Sequence, residues 1–165
     1  MKVNKRRRKE RVTDYKSRLN LLKSGLPRVV FRKSNKFIIG QYIKSEKAQD
    51  SIIAGATSKD LLDYGWPIEL RGSLKSLTAS YLTGFLLGRK IIDKEGESRA
   101  IFDIGLLRNI AKSRAYAFLK GVIDSGVIIN HNEKMFPIED KIQGNHLKKN
   151  IKEIFGKVKE KIEHG

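Results

Sequence analysis

The sequence predicts a layered α/β domain, an α/β/α arrangement with a mixed sheet, preceded by a basic arm and followed by a helical extension. Three observations support this prediction. Short β-branched and aromatic runs come first, two long segments of helical periodicity with a strand between them follow, and the positive charge is concentrated at the amino-terminal end. We divide the chain into the arm (1–12), an α/β domain (13–130) and a carboxy-terminal extension (131–165).

The amino-terminal region combines the arm with a short helix. The arm is too highly charged to pack by itself, so we expect it to stay disordered until phosphate groups neutralise it. Thr13 is the predicted cap of the helix, on which Tyr15, Leu19 and Leu22 share one face at helical spacing.

The next segment predicts an antiparallel meander of three strands. The runs "RVVFRKS" and "KFIIGQYIKS" lie on either side of Ser34-Asn35, which is typical of a hairpin, and "SIIAGA" supplies the third strand. Ser58 is placed to cap a brief helix that continues through Leu62.

The second half of the domain predicts a parallel crossover. Helical periodicity extends from Ser73 to about Asp93, "SRAIFDIG" (98–105) has the composition of a buried strand, and a second helix is predicted from Ile110 to about Ser125 with Ala111 on its inward face. Strand, helix, strand and helix in succession favour parallel pairing, and "GVIIN" (126–130) is a candidate edge strand.

The extension contains a lysine-rich helix with a narrow apolar stripe. Because its other faces are charged, we expect this helix to be added to the domain rather than part of its core, so that truncation after Gly144 leaves the domain folded. The members of the stripe are Leu147, Ile151, Ile154, Val158 and Ile162.

The charge distribution indicates the class of partner. The net charge is +17, and residues 1–36 hold 14 Lys and Arg against Glu10 and Asp14, a net of +12. A concentrated cationic segment attracts nucleic acid by releasing condensed counterions, and an anionic membrane surface is the next candidate. The arm lacks the large apolar residues of an interfacial helix, and no apolar run approaches the length of a membrane span. We therefore expect a soluble, cytoplasmic protein with no membrane partner.

The candidate RNA-binding residues come from the arm, the first helix, the hairpin and the start of the second long helix. Arm cations can contact phosphates without reading sequence, Ser34 and Asn35 can bond to phosphate or ribose, and Tyr15 can stack on a base or pack in the core. A targeting tail and a plain solvated turn are the alternatives for the arm and the hairpin. The candidates are Lys5, Arg6, Arg7, Arg8, Lys9, Arg11, Tyr15, Arg18, Arg28, Arg32, Lys33, Ser34, Asn35, Lys36, Gln41, Lys112 and Arg114.

A metal-dependent nuclease is the alternative function, because related sheets hold two metal ions between carboxylates on adjacent strands. The predicted first strand carries no acid, and Asp103 has no carboxylate partner on a neighbouring predicted strand, so Asp103 is expected to be a structural hydrogen-bond acceptor. The chain has no cysteine, and its three histidines lack ligand-like spacing. We predict no catalytic residue, no metal site and no cofactor.

Several ordered stretches carry a family resemblance. They are "TDYKSRLNLLKSGLPRVVFRKSNKFIIGQ" (13–41), "YGW" (64–66), "TASYLTGFLLG" (78–88), "FDIGL" (102–106), "RAYAFLKGVIDSG" (114–126) and "MFPIEDKIQGNHL" (135–147). Together they resemble the 5S-rRNA-binding large-subunit ribosomal protein family called ribosomal protein eighteen in bacteria, in its longer archaeal and eukaryotic form. One departure follows "FDIGL", where the family usually has a Pro-Thr-Lys-Gly turn and this chain has Asn109 to Lys112.

The resemblance implies a structural constituent of the large ribosomal subunit rather than an enzyme. It implies that the protein holds 5S rRNA on the large-subunit rRNA in the central protuberance, with other large-subunit ribosomal proteins as neighbours. The segment from Arg28 to Gln41 would face 5S rRNA, and the arm would thread between rRNA elements.

Overall fold

The computed structural model describes residues 6–47, 49–145 and 151–164. Its helices are α1 (Arg6–Lys9), α2 (Tyr15–Lys23), α3 (Leu77–Glu95), α4 (Arg114–Asp124), α5 (Glu139–Gln143) and α6 (Ile151–His164). Its strands are β1 (Arg28–Lys33), β2 (Ile38–Glu46), β3 (Gln49–Thr57), β4 (Arg99–Asp103) and β5 (Ile128–Ile129). Short 3-10 turns cover Asp60–Leu62, Ile68–Ser73 and Glu133–Met135.

The five strands form one mixed sheet in the order β3-β2-β1-β4-β5. The first three strands pair antiparallel as a meander, with Lys33 opposite Ile38 across the hairpin. β4 pairs parallel to β1, and β5 pairs parallel to β4. The predicted meander, parallel crossover and edge strand are confirmed, although the edge strand has only two residues.

The core lies between the sheet and the helices α3 and α4. Val29 and Phe31 of β1 are fully buried, and the Phe31 ring lies 5.2 Å from the ring of Phe118 on α4. α3 and α4 approach closely because glycines stand at their contact. A Cβ atom added at Gly84 would lie 2.1 Å from the Phe118 carbonyl oxygen, so no larger residue fits there without separating the helices.

Two predicted helix caps are wrong. α2 is capped by Asp14, whose carboxylate accepts hydrogen bonds from the main-chain N–H groups of Lys16 and Ser17, while Thr13 accepts one from the Arg7 side chain. After β3, the Ser58 hydroxyl accepts the main-chain N–H of Ile38 instead of capping the 3-10 turn. In both cases the side chain predicted to cap the helix accepts a hydrogen bond from another residue, and the spacing of residues in the sequence does not reveal that partner.

The amino-terminal region differs from its prediction in two ways. Residues 6–9 of the arm form a single helical turn, in which Arg6 lies 3.6 Å from Glu10 on an exposed surface. The apolar face predicted for α2 is not packed into the core, since all nine residues of α2 are exposed or half-buried and Leu19 is 54% exposed. A nine-residue helix with one exposed leucine gains little from burial.

The second long helix starts later than predicted. α4 begins at Arg114, and Ile110 and Ala111 are exposed outside it. Lys112 has a positive φ of 58°, which ends helical geometry, and its N–H donates to the carbonyl of Met135 at 2.8 Å. A contact with a segment more than 20 residues away thus decides where the helix starts.

The expectation that the last helix is merely added to the domain is wrong. Val158 is 0% exposed and Ile162 is 3% exposed, and both belong to the same buried cluster as α3. The Phe155 ring lies 5.5 Å from the ring of Tyr81 on α3. Leu147, the first member of the predicted stripe, lies outside the described residues. α6 therefore completes the core, and a break at Gly144 would remove part of it.

Candidate nucleic-acid interface

The sheet has a second face whose central strand carries cations. Successive strand residues point to opposite faces, so Arg28 and Arg32 lie on the face away from Val29 and Phe31. Gln41 on β2 is half-buried and pairs with Val30 on this same face. The alternation of β1 therefore gives one strand an apolar side toward the helices and a cationic side toward the amino-terminal region.

Arg28 is buried, which corrects its predicted place among the exposed cations. Its side chain is 4% exposed, and its guanidinium donates to Asp103 at 3.1 Å, to Asp50 at 2.9 Å and to Ser45 at 3.2 Å. A buried charge is tolerated when it is paired and hydrogen-bonded in this way. Arg28 therefore ties β1 to the start of β3 and the end of β4, and does not present its charge to a ligand.

Asp103 is the structural acceptor that the sequence predicts. Its carboxylate accepts from Arg28 and from the main-chain N–H of Gly105 at 2.7 Å, and it lies 3.6 Å from the guanidinium of Arg32. The carboxylate is thus surrounded by donors. It fixes the loop after β4 and the position of Arg32.

Asp50 is the second carboxylate that accepts a hydrogen bond from the guanidinium of Arg28. Burial alone would raise the pKa of its carboxyl, but hydrogen bonds from Ser45, Arg28 and Arg18 and the charge of Arg28 outweigh it, so the pKa is lowered. Arg18 of α2 donates to Asp50 at 2.8 Å. An ion pair therefore anchors α2 to the sheet.

Arg32 is held in place but remains accessible. Its Nη1 donates to the carbonyls of Phe31 at 2.7 Å and Asp103 at 3.2 Å, and 45% of the side chain is exposed. Gly105, at φ +62°, allows this guanidinium to pack on the loop, because an added Cβ would lie 2.9 Å from its Cζ atom. Arg32 is therefore a pre-positioned cation, the arrangement that suits binding to phosphate.

A cleft of about 380 Å³ opens between the amino-terminal region, β1 and the loop after β4. Five of its lining residues are cations and two are acids. We call this the amino-terminal cleft. Its lining residues are Arg7, Val12, Thr13, Asp14, Ser17, Arg18, Leu21, Arg28, Arg32, Lys33, Asp103, Ile104, Gly105, Leu106 and Leu107.

The hairpin presents exposed cations on a fixed turn. Lys33, Asn35 and Lys36 are exposed. The Ser34 hydroxyl accepts the main-chain N–H groups of Lys36 and Phe37 and donates to the Phe37 carbonyl, so it shapes the turn. Of the two polar side chains proposed for RNA contact, Asn35 is the more available.

The next candidates are the remaining cations of the arm. Arg6, Arg8, Lys9 and Arg11 are exposed on the arm, and Lys5 lies outside the described residues.

Tyr15 is half-buried, with the guanidinium of Arg8 5.8 Å from its ring centre. Lys112 is exposed and Arg114 is half-buried at the start of α4, and neither lines the amino-terminal cleft. The structure thus places these two candidates outside the cleft that brings Arg18, Arg32 and Lys33 together.

Sequence reasoning missed the residues that fix this surface. Asp50 lies 22 residues from Arg28 along the chain, and no local pattern connects them. The exposed Leu106 and Leu107 in the cleft were also missed. The only available signal for these was their place directly after "FDIG", at the end of a predicted strand.

The alternative of a metal-dependent nuclease finds no support in these residues. Across 6–47, 49–145 and 151–164, no group of three or more His, Cys, Asp or Glu side chains could hold a metal ion. The carboxylate of Asp103 already accepts hydrogen bonds from Arg28 and Gly105 and forms an ion pair with Arg32. In the same described ranges, no helix has the length and apolar content needed to cross a membrane.

Comparison with known proteins gives consistent similarities. Residues 1–98 match the family described as ribosomal large subunit proteins 60S L5 and 50S L18. Large ribosomal subunit protein uL18 of Korarchaeum cryptofilum is 47% identical over 146 residues, which is 88% of this chain and 72% of that protein. The protein of the same name from Methanococcoides burtonii is 43% identical over 166 residues, which is 98% of this chain and 93% of that protein. The one from Halobacterium salinarum is 40% identical over 146 residues, which is 88% of this chain and 77% of that protein.

Proposed function

Because the chain belongs to the family of ribosomal large subunit proteins 60S L5 and 50S L18, we propose that it binds 5S rRNA and helps attach it to large-subunit rRNA in the central protuberance. Membership in this family makes the protein a structural component of the large ribosomal subunit in the cytoplasm, and not an enzyme. Large-subunit rRNA and neighbouring large-subunit proteins are its further partners in this proposal.

The observation that carries the 5S rRNA proposal is the continuity of the cationic surface. The exposed arm, Arg18 of α2, and Arg32 and Lys33 of β1 meet around one cleft. Arg18 and Arg32 are held there by Asp50 and Asp103, so less side-chain freedom is lost when a phosphate binds. A rigid set of guanidinium groups beside an adaptable arm matches the shape and charge of folded RNA.

The two parts of this surface have different tasks in the proposal. The arm neutralises phosphates without reading sequence, and its contribution decreases as salt rises. The hairpin, with Lys33, Asn35 and Lys36 on a turn fixed by Ser34, supplies a rigid element that recognises shape. Lys112 and Arg114, on a separate part of the surface, would contact a second RNA element.

A double substitution on the hairpin tests this proposal. Arg32→Ala with Lys33→Ala should weaken 5S rRNA binding by at least tenfold, because it removes one pre-positioned and one exposed cation. The measurement is a filter-binding or fluorescence titration with 5S rRNA, and transfer RNA serves as the unrelated structured RNA.

A matched control separates specific contacts from the loss of net charge. Lys152 and Lys157 are exposed on α6, away from the cleft, and Lys152→Ala with Lys157→Ala removes the same two charges. Binding by this control should stay within about twofold of the intact protein. Equal weakening by the two double variants, or equal affinity of the intact protein for both RNAs, would contradict the proposal.

A further inference from the structure

The lining of the amino-terminal cleft combines two kinds of side chain. Cations such as Arg18, Arg32 and Lys33 line it together with five apolar residues. The apolar members are Val12, Leu21, Ile104, Leu106 and Leu107. A surface for phosphate alone needs cations only, so the apolar residues of the lining call for another explanation.

Three of these apolar residues are exposed. Leu106 is 58% exposed, Val12 is 47% exposed and Leu107 is 36% exposed. The loop is held in this position, since the N–H of Gly105 donates to Asp103 and the N–H of Leu107 donates to the Ile104 carbonyl. Apolar side chains displayed in a concave site beside polar groups are typical of ligand pockets.

The acids in the cleft do not oppose an anion. Asp14 accepts two main-chain N–H groups at the start of α2. Asp103 is neutralised by Arg28 and Arg32. Five cations line the cleft against these two acids, so the net charge of the lining favours a negatively charged occupant.

The size and chemistry of the cleft match one nucleotide. Its volume of about 380 Å³ is at the lower end of the range of ~300–1,000 Å³ for small-molecule sites, so it is too small for a duplex. A nucleotide combines an apolar base face with a phosphate, which fits a lining of apolar residues and cations. Proteins that recognise RNA commonly bind bases that are splayed out of loops and bulges.

We propose that the amino-terminal cleft receives a single unpaired nucleotide of the bound rRNA. Its base lies against Leu106, Leu107 and Leu21, and its phosphate lies toward Arg18 and Arg32. This inference rests on the proposed function, because it requires that the protein bind rRNA. It adds a site of base contact to a surface otherwise made for phosphates.

Substitution of Leu106, the most exposed apolar residue of the cleft, tests the site. Leu106→Ser should weaken 5S rRNA binding at least fivefold, because it replaces the exposed apolar side chain that contacts the base with a polar one. The dependence of affinity on salt should not change, because no cation is removed. Leu106→Ala is a second, milder variant, and circular dichroism checks that each variant is folded.

The matched control is Ile138→Ser, which removes an equally exposed apolar side chain (56%) outside the cleft. Its affinity should stay within about twofold of that of the intact protein. Acylation of ribose 2′-hydroxyls at nucleotide resolution gives a second measurement. In the complex with the intact protein, one unpaired nucleotide should change reactivity, and Leu106→Ser, but not Ile138→Ser, should abolish the change.

The outcomes separate this inference from the function on which it rests. If the intact protein fails to bind 5S rRNA in preference to transfer RNA, the proposed function fails. If it binds but Leu106→Ser behaves like Ile138→Ser, the function stands and the nucleotide site is wrong. Weaker binding by Leu106→Ser with an unchanged pattern of ribose reactivity would also overturn the site, because Leu106 would then act through another contact.

Discussion

The helices α2 and α6, which lie near opposite ends of the chain, differ in how they are attached to the same domain. Both carry lysines and an apolar stripe in the sequence. All of α2 is exposed or half-buried, whereas Val158 and Ile162 of α6 are buried in the core. The difference shows that an apolar stripe predicts an amphipathic helix but does not predict whether a complementary surface exists to receive it.

The physical reason is the surface that each helix meets. α6 packs on α3. The Phe155 ring of α6 contacts the Tyr81 ring of α3, and the Lys159 ammonium group lies over the Phe85 ring. α2 has no buried residue and is anchored to the sheet by the ion pair of Arg18 with Asp50. Apolar burial stabilises α6 at any salt concentration, while the attachment of α2 weakens with salt, as exposed ion pairs do.

Truncation at the carboxy-terminal end should therefore cost much more stability than deletion of the arm, which leaves α2 in place. Truncation after Gly144 exposes the core under Ile151, Val158 and Ile162, each worth about 1.5–3 kcal/mol of burial, against a typical total stability of ~5–15 kcal/mol. We expect the truncated protein to lose its cooperative thermal transition or to melt at least 15 °C lower. Deletion of residues 1–11 should leave the melting temperature within a few degrees. A truncated protein that melts like the intact one would show that α6 is not part of the core.

Single substitutions sharpen the same comparison. Ile162→Ala should reduce the free energy of unfolding by about 2–5 kcal/mol, because it opens a cavity at a position that is 3% exposed. Leu19→Ala on α2 should change it by less than about 0.5 kcal/mol, because Leu19 is 54% exposed. Urea denaturation of the two variants measures both values, and similar losses for both would contradict the contrast between the helices.

The ion pairs that anchor α2 predict a small dependence of stability on pH. The folded protein lowers the pKa of Asp50 from its ordinary value of 3.8, so this carboxylate stabilises the fold above that value. The contribution is lost as pH falls through the lowered pKa and the group becomes protonated. Asp50→Asn should therefore melt below the intact protein at pH 7, and the difference should shrink below about pH 4. A gap that stays constant from pH 7 to pH 2.5 would count against the role of the Asp50 charge.

The sequence predicts the local elements of this molecule well and their long-range partners poorly. The meander follows from β-branched runs around Ser34 and Asn35, and such patterns are local. The burial of Arg28 depends on Asp50 and Asp103, which are 22 and 75 residues away. The late start of α4 depends on Lys112 and its contact with Met135. These features are decided by tertiary contacts, and a single sequence does not encode such contacts in any short spacing.

The candidate surface shows the same division. The basic arm was predicted from charge alone, because charge is a property of composition, and the hairpin from the β-branched and aromatic runs that flank Ser34 and Asn35. Asp103 was predicted as a structural acceptor, but its ion pair with Arg32 and the places of Gly105 and Leu106 became apparent only once the loop after β4 was placed beside β1.

A salt titration of 5S rRNA affinity tests the central claim most directly, namely that the amino-terminal end carries the phosphate contacts. Each neutralised phosphate contributes ~0.7 to 0.9 to the slope of log K against log salt. If about four arm cations make such contacts, deletion of residues 1–11 should reduce the magnitude of the slope by about 3. The loss of affinity should be larger at low salt than at high salt, with the circular dichroism spectrum unchanged. Parallel slopes for the intact and deleted proteins would contradict the account, since the arm would then not be the phosphate-binding element.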